Sequence, residues 1–76
     1  MSVVLYSTST CSYCVKAKQF LQEKKVPFTE YNVGNDMRRA DEMVKKSGQM
    51  GVPVLDINGR IIVGFNQPEI ERALKR

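Results

Sequence analysis

Val3-Val4-Leu5-Tyr6-Ser7-Thr8-Ser9-Thr10-Cys11-Ser12-Tyr13-Cys14-Val15-Lys16-Ala17 carries an apolar run into two cysteines three residues apart and on into a helix-like stretch. Val3 to Tyr6 is apolar throughout, which suits a strand buried on both faces at the centre of a sheet. From Cys14 to about Lys25, residues Cys14, Ala17 and Leu21 fall on one helical face with Phe20 at its edge, while Lys16, Gln19, Glu23 and Lys24 point away. Cys14 is therefore expected to face inward and Cys11 outward. A thiol at the first turn of a helix meets unpaired backbone N–H groups and the positive end of the helix dipole, and both favour the thiolate. A thiol with the ordinary pKa of about 8.5 is only about 3% ionised at pH 7, whereas one near about 6 is about 90% ionised, so location matters more than the motif itself. The placement points to thiol–disulfide exchange, with Cys11 as nucleophile and Cys14 as the resolving thiol that attacks the mixed disulfide.

Outward from this stretch, Pro27 is expected to stop the first helix, and Phe28-Thr29-Glu30-Tyr31-Asn32-Val33 alternates like a half-buried strand. Strand, helix, strand implies a parallel, right-handed crossover. Gly34-Asn35 turns the chain, and Met37, Ala40, Met43 and Val44 recur at helical spacing from Asp36 to Lys46, ending at Ser47-Gly48. Val54–Ile57 and Arg60–Val63 flank Asn58-Gly59, a two-residue connection that favours a type I′ hairpin. A last helix follows, with Asn66 as its N-cap, Pro68 near its first turn and Ile70, Ala73 and Leu74 as its buried stripe. The predicted order is βαβαββα, an α/β chain, with Met37, Met43 and Met50 as core filler or turn packing.

Seventy-six residues bound this to one small domain, 1–76. Two cysteines three apart close too small a loop to staple a fold, and the start carries no apolar signal stretch, so a reducing, cytoplasmic setting is expected. No run reaches the length of a membrane span. The net charge of +4 comes from lysines and arginines scattered among acids. It reads as a solvated basic surface that favours anionic thiols or acidic partner proteins, not nucleic acid. Lys16 and Lys18 read as solvated helix lysines, either of which assists the Cys11 thiolate if it lies near. Competing readings of the cysteine pair are two small buried hydrophobes or half of a tetrahedral metal shell. The chain has no histidine, so a dimer or exogenous thiols would have to complete that shell, and no metal site is expected.

Cys11-Ser12-Tyr13-Cys14, Gly51-Val52-Pro53 and Gly64-Phe65-Asn66 together resemble the glutaredoxin branch of the thioredoxin fold, a likeness that spans nearly the whole chain. The resemblance implies a four-stranded mixed sheet in the order 2-1-3-4 with helices on both faces. It implies a cis Pro53 beside the thiols, with the backbone of Val52 free to pair with an extended substrate like an added strand. It places Tyr13 beside the thiols, Gln49 on the glycyl carboxylate of glutathione, and Gly64, Phe65 and Asn66 along the glutathione groove, Phe65 as a lid or partner-facing residue. Glutathione is then a co-substrate, no cofactor is tightly bound, disulfide-containing or glutathionylated proteins are the partners, and a monomer is expected.

Departures from the family pattern are equally specific. Thr8 stands where glutaredoxins commonly have a lysine, and Gly51 where they have a threonine. Val63-Gly64-Phe65-Asn66-Gln67 replaces Gly-Gly-Cys-Asp-Asp, so Asn66 can cap a helix but brings no charge to the amino end of glutathione, whose binding is expected to be weaker. The Gly64-Phe65 step also resembles the glutaredoxin-like hydrogen donors of ribonucleotide reductase, which are reduced by thioredoxin reductase. Some Cys-Ser-Tyr-Cys glutaredoxins instead hold an iron–sulfur cluster between two subunits with glutathione as co-ligand.

Overall fold

The chain runs β1 (Val3–Ser7), α1 (Ser12–Glu23), β2 (Thr29–Asn32), α2 (Met37–Ser47), β3 (Val54–Ile57), β4 (Arg60–Val63) and α3 (Gln67–Leu74). The computed structural model describes residues 2–75, so the first and last residues of the expected 1–76 domain lie outside it. The strands form one sheet in the order β2-β1-β3-β4, with β1 parallel to β2 and antiparallel to β3. The apolar run Val3–Tyr6 thus occupies the interior of the sheet, where both faces are covered. This is the arrangement the resemblance implies.

Alternation along β1 divides the core. Val3 and Leu5 join Leu55, Ile57 and Ile62 on one face, under Ala17, Phe20 and Leu21 of α1 and Ile70 and Ala73 of α3. Tyr6 and Val54 turn to the other face, under Met43 of α2. Tyr6 is fully buried there, and its hydroxyl donates to Glu42 and accepts from Lys46 at 3.0 Å. Lys46 also reaches Asp56 on β3 at 2.7 Å, and Arg39 holds Glu42 at 2.8 Å. A line of polar groups therefore fastens α2 to the sheet. Burial, with Glu42 beside it, raises the Tyr6 pKa, while the tyrosine hydroxyl and Arg39 hold Glu42 below the ordinary carboxylate range.

Helix α1 differs from its expected limits at both ends. It begins at Ser12 instead of Cys14 because Cys11 is its N-cap, a sulfur standing where serine or aspartate oxygen usually caps. It ends at Glu23, ahead of Pro27. Lys25 adopts the left-handed conformation at φ 58°, with Lys25 N–H donating to the Gln22 carbonyl and Val26 N–H to the Leu21 carbonyl. This is a Schellman ending, with lysine where glycine is usual.

Strand β2 is shorter than the alternation suggested, covering Thr29–Asn32, with Phe28 and Val33 packing against the core from just outside it. Asp36 caps α2 instead of opening it. Met37 and Met50 are corrections, since they are 83% and 82% exposed. Met37 shares the azimuth of Val44 but sits on the first residue of α2, whose buried and half-buried positions begin at Arg39. Met50 lies in the loop between α2 and β3. The Asn58-Gly59 hairpin has φ of 54° and 92°, as a type I′ turn requires, and Asn66 caps α3 by accepting from the Glu69 N–H.

Candidate active site

Three segments distant in sequence meet beyond one end of the sheet: the start of α1, the loop entering β3, and the turn leaving β4. Cys11 sits at the first, half-buried, and its sulfur accepts a hydrogen bond from the backbone N–H of Cys14 at 3.1 Å. That donor and the N-terminal dipole of α1 stabilise negative charge on the sulfur. On its other side the sulfur faces the Val52 carbonyl oxygen at 3.9 Å. The Val52–Pro53 peptide is cis. Among the described residues the N–H and C=O of Val52 have no backbone partner, whereas the Pro53 carbonyl accepts from Gly64 N–H at 2.8 Å.

Cys14 is the inward partner, 3% exposed on the core side of α1. Burial first, and the neighbouring Cys11 second, push its thiol up to about 12, so at neutral pH it is a protonated S–H. The two sulfurs thus have separate environments, one capped by an N–H at the surface and one enclosed.

A groove of about 350 Å³ opens beside the pair, lined by Tyr13, Val52, Pro53, Gly64 and Phe65. Tyr13 is 58% exposed, and the Lys16 ammonium lies over its ring, 5.2 Å from the centroid. Gly64, at φ 82°, makes the turn that brings β4 back to the groove. Phe65 does two things at once: it lines the groove and meets Phe20 edge-on, 6.0 Å between centroids, at the margin of the core. Two of the sequence-predicted residues stand apart from this lining. Gln49 turns its amide onto its own loop, donating to the Gly51 carbonyl at 3.1 Å and accepting from the Gly51 N–H. Asn66 spends its side-chain oxygen on the Glu69 N–H at the start of α3.

One cluster was not found from sequence. Glu30 of β2 accepts from the Ser7 hydroxyl at 2.8 Å and pairs with Lys18 at 3.0 Å. Burial works against its ionisation, but Ser7 and Lys18 outweigh it and hold the carboxyl below its usual range. The available signal was the period: Lys18 follows Cys14 by four residues on α1, and Glu30 pairs with Leu5 across the parallel ladder.

The glutaredoxin family model matches residues 3–62 of the chain. The chain belongs to the glutaredoxin family. An uncharacterized glutaredoxin-like 8.6 kDa protein from the rubredoxin operon of Clostridium pasteurianum is 45% identical over 74 residues, covering 97% of this chain and 99% of its own. Glutaredoxin 3 of Escherichia coli is 36% identical over 63 residues, covering 83% of this chain and 76% of its own. The crystal structure of the glutaredoxin from Methanosarcina mazei Go1 superposes with a TM-score of 0.87 at 28% identity, covering 99% of this chain and 79% of that one. This glutaredoxin-family chain therefore has the thioredoxin-like fold, and its function lies in thiol redox chemistry.

Proposed function

We propose that this chain is a dithiol oxidoreductase of the cytosol that reduces protein disulfides and glutathione mixed disulfides and is itself recycled by glutathione. The observation that carries the reading is the asymmetry of the two sulfurs: Cys11 half-exposed with an amide aimed at it, Cys14 enclosed and protonated. Cys11 as thiolate attacks a substrate sulfur in line, the substrate S–S bond breaks, and the first product leaves as a thiol. Cys14 or a second glutathione then displaces the remaining half. A substrate segment laid along Val52 pairs with its N–H and C=O, which lack backbone partners, in the mode of an added strand, and places its cysteine over Cys11. Tyr13, Phe65 and Gly64 form the walls against which the tripeptide would lie.

A second reading of the reductant draws on two observations. Asn66 is uncharged and committed to its helix cap, and the Gln49 amide is committed to its own loop. Both weaken the match to the charged ends of glutathione and favour a donor to ribonucleotide reductase that is reduced by thioredoxin reductase. A coupled NADPH assay separates them by comparing glutathione plus its reductase with thioredoxin reductase on one disulfide substrate. Faster turnover with glutathione supports the main reading; turnover with thioredoxin reductase alone supports the second. Loss of neither activity in Cys11→Ser would overturn both.

A further inference from the structure

We propose that the groove between α1 and α3 seats the residues of a protein substrate that flank its reactive cysteine, and that it selects an extended segment with an acidic side chain near that cysteine and a basic one about three residues further away. The inference rests on the oxidoreductase reading above and names a substrate class for it.

A second groove, also of about 350 Å³, runs between α1 and α3 with Phe20 and Phe65 in its lining. It adjoins the groove beside the thiols at two places. Phe65 lines both, and Lys16, which lines the second, holds its ammonium 5.2 Å from the ring centroid of Tyr13 in the first. Edge-on packing of Phe65 against Phe20, 6.0 Å between centroids, makes an aromatic bridge from one groove to the other. Glutathione has one residue on either side of its cysteine and ends within the first groove. A protein segment has more chain, and on leaving Cys11 along Phe65 it enters the second.

The charges along this second groove have opposite signs at its two ends. Lys24 pairs with Glu71 at 3.5 Å, joining α1 to α3, and lies 5.4 Å from the Phe20 ring centroid, so these two charges compensate each other. Lys16 and Glu23 are exposed and, among the described residues, belong to no ion pair. Lys16, Phe20 and Glu23 follow one another at helical spacing on one face of α1. From Lys16 to Glu23 is two turns, about 10 Å along the axis, which about three extended residues span. A chain coming from Cys11 therefore meets a cation first, aromatic rings next and a carboxylate last. Its complement is an acid near the cysteine, an apolar side chain, then a base. Glu23 repels a uniformly anionic partner such as nucleic acid.

The test uses short peptides whose single cysteine is joined by a disulfide to a chromophoric aromatic thiol, mixed with reduced protein in a stopped-flow instrument. The Cys11 thiolate attacks the peptide sulfur, the Cys11–peptide S–S bond forms, the bond to the aromatic sulfur breaks, and the aromatic thiolate leaves with the electron pair; its absorbance gives the rate. Each peptide carries Asp, Phe and Lys on one side of its cysteine, before it or after it, with Asp nearer, and a twin exchanges Asp and Lys. Every rate is divided by that of the same peptide with a free model thiol, which removes the effect of charge on the sulfur itself. In one chain direction the peptide should react about tenfold faster than its twin, because two exposed pairs replace two like-charge contacts. Combining Lys16→Glu with Glu23→Lys should invert the preference, which loss of a merely structural contact would not do. A preference absent in both directions, or one that survives the double substitution, would overturn the proposal. No release from any peptide by the wild type would sink the oxidoreductase reading itself, and the proposal with it.

Discussion

The backbone N–H of Cys14 points at the sulfur of Cys11 across 3.1 Å, while the side chain of Cys14 itself is enclosed. One residue therefore offers its neighbour a hydrogen bond through its main chain while keeping its own thiol inside. Limiting iodoacetamide at pH 7 should label Cys11 at least about tenfold faster than Cys14, because reactivity follows thiolate content and access. Peptide mapping by mass spectrometry checks this, and equal labelling would contradict the assignment of roles.

The enclosed thiol also has a signature in alkaline stability. The folded protein holds the Cys14 proton up to about 12, against an ordinary value of 9.0, so this contribution is complete below about pH 9 and is lost as pH rises towards the folded value. Comparing reduced wild type with Cys14→Ala by urea denaturation isolates it, since Tyr6 and Lys46 are common to both. The stability difference should fall by up to about 1.4 kcal/mol per pH unit above pH 9. A difference that stays flat into the alkaline range would show that the thiol is not held in this way.

Tyr6→Phe removes a hydroxyl that joins Glu42 to Lys46 and leaves the packing of a fully buried ring unchanged. A loss of about 1–2 kcal/mol is expected, since two charged groups lose a partner in a half-buried setting. Thermal or urea unfolding measures it, and a neutral result would mean that the polar line under α2 contributes nothing net.

Lys25 occupies a left-handed position that glycine accepts without a Cβ clash. Lys25→Gly should raise stability by about 0.5–1 kcal/mol without touching the site. A lower melting temperature in this variant would argue that the lysine side chain makes a contact worth more than the backbone it strains.

Asn66→Asp restores a charge where the family carries an aspartate and preserves the cap on Glu69 N–H. Under the glutathione reading, KM for a glutathione mixed disulfide should drop by about three- to tenfold with kcat little changed, as expected for an added ground-state interaction. Unchanged KM would favour recycling by thioredoxin reductase.

Much of this molecule is legible along the chain because its signals are local. The apolar run Val3–Tyr6, the Asn58-Gly59 hairpin and the Asn66 cap are read within a few residues and stand where expected. The strand order and the cis Pro53 came from the family resemblance and not from periodicity. The reading failed where position along an element outweighs its period, as at Met37, while the pairing of the Gln49 amide with its own loop is one that no local pattern announces. The charged clusters were invisible for a different reason. Lys46 meets Tyr6 across 40 positions and Lys18 meets Glu30 through the pairing of β1 with β2, so neither exists until the sheet register is known.

Cys11 and the Val52 carbonyl it faces are 41 positions apart. A polypeptide still emerging from the ribosome carries both cysteines early but gains the far wall of the groove only when β3 has been synthesised and has docked on β1. Under the proposed function, the thiols are thus made long before the surface that would select their substrates, and specific exchange would wait until the sheet closes.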